Sequence, residues 1–243
     1  MRVAVISDIH ANLHALEAVL AAIDAETVDT LWCLGDTVGY GPRPNECCAT
    51  VVARAALSLA GNHDLVVLGR LDLDDLSGAA AAAASWTRTV LSDEGRSFLE
   101  GLHPQEQRDG VDLFHGSPRD PVWDYVLSEH VAWLSFRMTS APLVLVGHSH
   151  VALALEDEDD AGVAGGLAPE GTELELGDGR WLLNPGSVGQ PRDGDPRAAW
   201  LLLDLGARRA SFRRVDYDVA RTQAEMREEA LPEALALRLA RGE

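Results

Sequence analysis

Five short apolar runs in this chain each lead into a residue that can ligate a metal, and no other feature constrains the fold as tightly. Val3 to Ser7 leads into Asp8-Ile9-His10. Leu31 to Leu34 leads into Gly35-Asp36. Leu57 to Ala60 leads into Gly61-Asn62-His63-Asp64, Val111 to Phe114 into His115-Gly116, and Leu143 to Val146 into Gly147-His148-Ser149-His150. Brief apolar runs closed by glycine or a polar residue read as buried strands of an α/β sheet. Such sheets hold their ligands beyond the carboxyl ends of the strands. A Gly-Asp pair alone is only a turn signal. With four companions of the same kind, Asp36 reads as the hub of a metal site.

The segments between the runs fit this reading. Asn12 to Leu20 predicts an amphipathic helix with Leu13, Leu16 and Leu20 on one face and Asn12 as its N-cap. Thr37 to Asn45 is rich in Gly and Pro and leaves the Asp36 strand at its ligand-bearing end, so it reads as the rim of the site, with a helix following to about Arg54. From about residue 64 to 104 no strand pattern occurs, and the Ala79 to Ala84 run predicts a helical, cap-like insertion. Gln105 to Arg108 and Val111 to Phe114 read as a hairpin around Asp109-Gly110. Ser128 to Met138 predicts a helix. Glu156 to Asp160, with the Gly-rich stretch to Gly171, predicts a solvated hairpin loop, since the spacing of a calcium loop is absent. Ala198 to Leu205 and Ala210 to Tyr217 predict paired late strands, and Val219 to Ala240 a helix interrupted at Pro232. With no internal repeat and no linker, residues 1–243 read as a single domain.

Composition narrows the class. Apolar residues make up 47% of the chain, enough for a sizeable core, and the formal charge is −19. That charge argues against binding to nucleic-acid duplexes or anionic membranes, both of which need clustered basic residues. A small phosphorylated partner stays open, because a metal centre outweighs the global charge locally. Cys33, Cys47 and Cys48 form no disulfide framework or zinc spacing. No signal peptide or membrane-length apolar run is present, so a cytoplasmic setting is expected.

The candidate ligands are Asp8, His10, Asp36, Asn62, His115, His148 and His150. Two carboxylates, an amide oxygen and four imidazoles suit manganese, iron or zinc better than oxygen-seeking calcium or magnesium. Seven ligands exceed one tetrahedral site and suit two ions sharing a carboxylate. Such a pair stabilises both the attacking and the leaving oxygen of a displacement at phosphorus, and acidifies a water held between the ions. His63 follows Asn62 with opposite side-chain parity, which frees it to donate a proton to the leaving oxygen. Asp64 either orients His63 or caps the next helix.

These five motifs, in this order and at strand ends, resemble the calcineurin-like metallophosphoesterase superfamily from Val3 to about Tyr217. Gly39 to Glu46 and Asn184 to Arg192 resemble its small prokaryotic YfcE-like phosphodiesterase branch, some of whose members cleave dinucleoside polyphosphates. The resemblance implies a four-layer α/β/β/α sandwich of two packed mixed sheets. It implies Asp8, His10, Asp36 and His150 on one metal, Asp36, Asn62, His115 and His148 on the other, and His63 as general acid. Two divalent ions are implied, manganese first, with iron, zinc, nickel or cobalt as alternatives.

The function expected is hydrolysis of small phosphodiesters, phosphomonoesters or nucleotides. Alternatives are an Ap4A-type dinucleoside polyphosphate hydrolase, a protein phosphatase, and a non-catalytic scaffold on the same fold. Gly39-Tyr40-Gly41 stands where protein Ser/Thr phosphatases carry Asp-Arg-Gly, which weighs against the second. The scaffold reading expects lost ligands, and none is missing. Tyr40, Arg43, Asn45 and Arg192 are candidate substrate contacts, since arginine pairs with phosphate. Asn184 to Ser187 reads as a loop lining the site. His14, His103 and His130 have no strand-end partner and receive no role. Homo-oligomerisation stays open, as does whether the helical insertion is a lid or a subunit contact.

Overall fold

The computed structural model describes residues 1–158 and 161–243, so Asp159 and Asp160 of the expected acidic loop lie outside the described residues. Two six-stranded mixed sheets pack face to face. In the first, β1 (Arg2–Ile6), β2 (Thr30–Cys33) and β3 (Leu57–Ser58) run parallel, and β11 (Ala198–Asp204), β12 (Arg209–Val215) and β9 (Glu173–Glu175) extend it antiparallel from β1. In the second, β5 (Val111–Phe114), β6 (Leu143–Leu145) and β10 (Arg180–Pro185) run parallel. They are flanked by β4 (Gln105–Arg108) on one side, and by β7 (Ala152–Asp157) then β8 (Val163–Leu167) on the other.

Side-chain alternation along the strands builds the layers. Val3, Val5, Trp32, Leu113, Leu145, Leu183, Leu201 and Phe212 face inward between the sheets and form the central core. The intervening residues Ala4, Ile6, Leu31, Cys33 and Leu202 face out, where α1 (Leu13–Asp24) and α2 (Pro44–Arg54) cover them with Leu16, Val19, Leu20, Cys47 and Val51. On the other side, Val144, Val146, Leu155 and Leu182 are covered by Ala132 and Phe136 of α6 (Glu129–Phe136). This is the expected four-layer sandwich. Trp32 is 1% exposed at its centre, and truncation to alanine there would cost about 3–5 kcal/mol.

The insertion is helical, as its composition predicts, with α3 (Asn62–Val67), α4 (Gly78–Val90) and α5 (Asp93–Glu100). It begins earlier than expected. The third strand stops at Ser58: Leu59 N–H still bonds to the Cys33 carbonyl of β2, but Ala60 N–H turns to that of His103. Asn62 and His63 therefore stand in the first turn of a helix. The stretch after Glu156 also differs: β7 runs to Asp157 and pairs with β8, and Asp157 is held by Arg180 at 2.8 Å. The weak β-propensity of Val-Ala-Gly-Gly-Leu hides β8, which lies at a sheet edge. α7 (Val219–Glu228) and α8 (Glu233–Leu239) break at Pro232 and pack on the insertion. Among the described residues, no helix is long and apolar enough to cross a membrane.

Candidate metal centre

The carboxyl ends of β1, β2, β5 and β6 carry the candidate ligands to one end of the sandwich. The β1 and β2 loops are laced together: Asp8 N–H bonds to the Gly35 carbonyl at 3.0 Å and His10 N–H to that of Asp36 at 2.9 Å. Ser187 Oγ donates to the Asp8 carbonyl at 2.8 Å, tying the segment after β10 to the same loop. Asp8, His10, Asp36, His148 and His150 all adopt left-handed backbone with φ between 51° and 62°. That conformation costs L-residues roughly 1–2 kcal/mol each, less for Asp and His, and such strain concentrates at functional sites.

The side chains converge on two clusters, Asp8-His10-His150 and Asp36-His115-His148, and His63 forms a third close group with His10 and Asp36. Asp36 Oδ2 stands between the first two, 3.6 Å from His10 Nε2 and 3.5 Å from His115 Nε2. Its other oxygen accepts the His63 N–H at 2.8 Å, which fixes the carboxylate plane. Gly61 makes this approach achievable, because a Cβ there would fall 2.0 Å from Asp36 Oδ1. Asn62 Oδ1 lies 3.2 Å from His115 Nε2, completing the second cluster.

Proton positions decide what the clusters can hold. His10 Nδ1 donates to the Val38 carbonyl at 3.2 Å, His115 Nδ1 to Leu34 at 2.9 Å, and His150 Nδ1 to Gln190 at 2.6 Å. A carbonyl can only accept, so each Nδ1 carries the proton and each Nε2 turns toward the centre. His10 Nε2 and His150 Nε2 consequently face each other at 3.0 Å with no donor between them. Asp8 Oδ1, Asp36 Oδ2 and both ring nitrogens of His148 also lack a partner. Burial pushes His10 and His150 below their ordinary pKa and His148 down to about 3, so protons are poor occupants there. Ligand bonds of about 2.0–2.2 Å set neighbouring donors roughly 3.0–3.5 Å apart, and the separations observed run from 3.0 to 3.8 Å. The donor set fits metal ions.

Electrostatics separates the remaining titratable groups. Burial opposes the ionised Asp36, but His115, His63 and His10 outweigh it and hold the carboxyl well below its usual range. Burial also works against a charged His115, yet Asp36 raises it to about 9. Burial takes His63 down to about 4. Its ring packs against Tyr40, with centroids 4.3 Å apart, and its Nδ1 has no partner.

A cavity of about 230 Å³ opens on the clusters, lined by Asp36, Asn62, His63, His148 and His150. Tyr40 and Arg192, both expected as substrate contacts, line it as well, and Arg192 Nη2 donates to Tyr40 Oη at 3.2 Å. Among the described residues Arg192 meets no carboxylate, its other partner being Gln190 Oε1 at 2.9 Å. Arg43 and Asn45 lie outside the cavity. Arg43 pairs with Glu225 of α7 at 2.9 Å and with Glu46 at 3.2 Å. Asn45 donates to the Val90 carbonyl and accepts from Ser92 N–H, both at 2.8 Å, which joins α2 to the α4–α5 junction.

Asp64 caps the start of α3 and tethers the loop after β2. Its carboxylate accepts N–H groups of Gly61, Val38 and Thr37 at 3.0 to 3.3 Å and has no bond to His63. Burial and Asp36 raise it to about 7. Asn184 braces the site from behind rather than lining it, donating to the Gly147 carbonyl at 2.7 Å and Ser149 Oγ at 3.0 Å. His14 bonds to Glu225 at 3.0 Å, a structural role. Sequence reasoning missed Trp123 and Tyr125, beyond the His115 motif, and Asp75, Leu76, Ser77 and Ala80 of the insertion, all on the cavity wall. The only signal was a Trp-x-Tyr pair in the turn after His115-Gly116.

Residues 1–207 match the family model of the calcineurin-like phosphoesterase superfamily domain. The chain belongs to that superfamily. It is 46% identical to a metallophosphoesterase of Sphaerobacter thermophilus of known structure, covering 100% of this chain and 99% of that one with a TM-score of 0.91. It is 38% identical to MJ0912 of Methanocaldococcus jannaschii, covering 98% of this chain and 96% of the relative. PH1004 of Pyrococcus horikoshii shares the fold at 22% identity and a TM-score of 0.80, covering 100% and 98%. Membership implies hydrolysis of phosphoric esters, and the Asp/His clusters of this phosphoesterase can bind metal.

Proposed function

We propose that this phosphoesterase is dinuclear and acts on small phosphodiesters, phosphomonoesters or nucleotides. One observation carries the reading: lone pairs from His10, His150, Asp8 and Asp36 converge in a buried centre where Asp8 Oδ1 and Asp36 Oδ2 have no hydrogen-bond partner and no donor stands between the two imidazoles. Asp8, His10, Asp36 and His150 would hold one ion, and Asp36, Asn62, His115 and His148 the other. Bound there, the ions would supply Lewis acidity toward a phosphoryl oxygen and acidify water toward neutrality. The mixed nitrogen and oxygen donors favour manganese, with iron, zinc, nickel or cobalt as alternatives.

The chain's own residues do the rest. Arg192, uncommitted to any carboxylate among the described residues, pairs with a phosphate oxygen, and Tyr40 orients its guanidinium. His63 gives a proton to the leaving oxygen. Burial leaves it uncharged at neutral pH, so the negative charge of bound substrate must raise it first. The test is hydrolysis of bis(p-nitrophenyl) phosphate by chelator-stripped protein with Mn²⁺ added back. Metal-dependent release of nitrophenolate is expected. No release from protein that has bound the metal would overturn the reading.

A further inference from the structure

The inner end of the cavity is charged, and its mouth is aromatic. Trp123 and Tyr125 come from the loop that follows His115, and this loop is pinned along its length. Gly116 N–H bonds to the Pro121 carbonyl at 2.8 Å and Ser117 N–H to that of Asp120 at 2.9 Å. Asp120 Oδ1 caps Val122 and Trp123 N–H at 3.0 and 3.1 Å, and Ser117 Oγ donates to Asp124 Oδ2 at 2.6 Å. Val126, 1% exposed, anchors the far end under α6. The two rings are therefore held in place before any ligand arrives.

Tyr125 lies flat on His148, with ring centroids 4.1 Å apart and planes 19° from parallel. It is nevertheless 45% exposed and lines the cavity, so part of the ring remains accessible to a ligand. Trp123 stands edge-on to the same imidazole at 6.3 Å. Leu76 and Ala80 add apolar lining, and Arg192 lies on the lining with the candidate metal ligands. At about 230 Å³ the cavity is smaller than the roughly 300–1,000 Å³ of common ligand pockets.

We infer that Trp123 and Tyr125 form a stacking subsite for a planar aromatic group carried on the phosphate ester, a nucleobase or a simple aryl. This rests on the phosphoesterase reading. Stacking on a fixed ring is indifferent to base identity, because every base has a π-face. The subsite selects nucleotide or aryl esters over sugar and alkyl phosphates, without choosing among bases.

The test is calorimetric binding to Mn²⁺-loaded protein, with the ligands recovered and checked intact by chromatography. AMP against ribose 5-phosphate isolates the base, and phenyl phosphate against methyl phosphate isolates a directly attached ring. The expected result is an affinity ratio of about ten-fold or more in the first pair, the second or both. A ratio confined to the first pair identifies a nucleotide, and one confined to the second an aryl ester. Tyr125→Ala should bring the ratio toward one, and Tyr125→Phe should restore it. Ratios near one in the wild type, or a ratio unchanged in Tyr125→Ala, would overturn the subsite while phosphate binding kept the phosphoesterase reading intact. Failure of metal-loaded protein to bind any of the four ligands would remove both.

Discussion

The main-chain N–H of His63 donates to Asp36 Oδ1 at 2.8 Å. One oxygen of Asp36 thereby fixes the start of α3, while the other stands unpartnered between the two clusters. The candidate hub ligand and the proposed acid are locked to one another through the backbone, so the imidazole is positioned relative to the carboxylate by a main-chain bond.

Asp36→Asn separates these tasks. The amide oxygen can keep the bond to His63 N–H, while an NH₂ group replaces the shared ligand. Turnover is expected to fall by at least about a hundred-fold, in the range of losing one large electrostatic contribution, with little change in melting temperature. Steady-state kinetics and calorimetry on the variant check this, and wild-type-like turnover would refute the hub assignment.

His63→Ala should slow esters with poor leaving groups by about 10²–10⁴-fold and p-nitrophenyl esters much less, because nitrophenolate needs little protonation. Gly39→Ala should show the same selectivity more weakly. Gly39 has φ 93°, and a Cβ there would fall 2.5 Å from His63 Nδ1 and displace the ring. Equal losses on both substrate types would argue against the acid role.

Metal uptake should release protons. In the metal-free protein His115 is raised to about 9, so at pH 7 its Nε2 carries a proton that a metal must displace. Apparent metal affinity is expected to rise with pH up to about 9 and then level. Titrations in buffers of different ionisation enthalpy would reveal the released proton, and pH-independent uptake would contradict it.

The pairing that takes Arg43 away from the site has its own consequence. The Arg43 guanidinium and His14 hold Glu225 at about 2, below its ordinary 4.5. A depressed carboxyl stabilises the fold fully above pH 4.5, and that contribution is lost as pH falls through about 2. Glu225→Gln should therefore lower the melting temperature at pH 7, by about 2–4 °C for each kcal/mol lost. Near pH 2 most of the difference from the wild type should have gone. A difference that persists undiminished there would assign the effect to packing.

That the candidate ligands would converge was legible because each sits within a few residues of a strand end, and strand ends can be read from local hydropathy. What distant parts of the chain decide was not legible. Arg43 turns away from the cavity because Glu225 of α7, 182 residues on, draws it there. Asp64 reads equally as an orienter or a cap from its neighbours alone, and it is the N–H groups of Thr37 and Val38, from another loop, that take up its acceptors. Tyr125 belongs to a turn with no periodicity, and only the approach of the His148 loop brings its ring to the site.

The most direct measurement is the number of manganese ions held per chain after equilibrium dialysis of chelator-stripped protein, by elemental analysis of the wild type and His115→Ala. Two per chain in the wild type and one in the variant are predicted, since His115 serves the second cluster only. A single ion or none in the wild type would contradict a dinuclear centre.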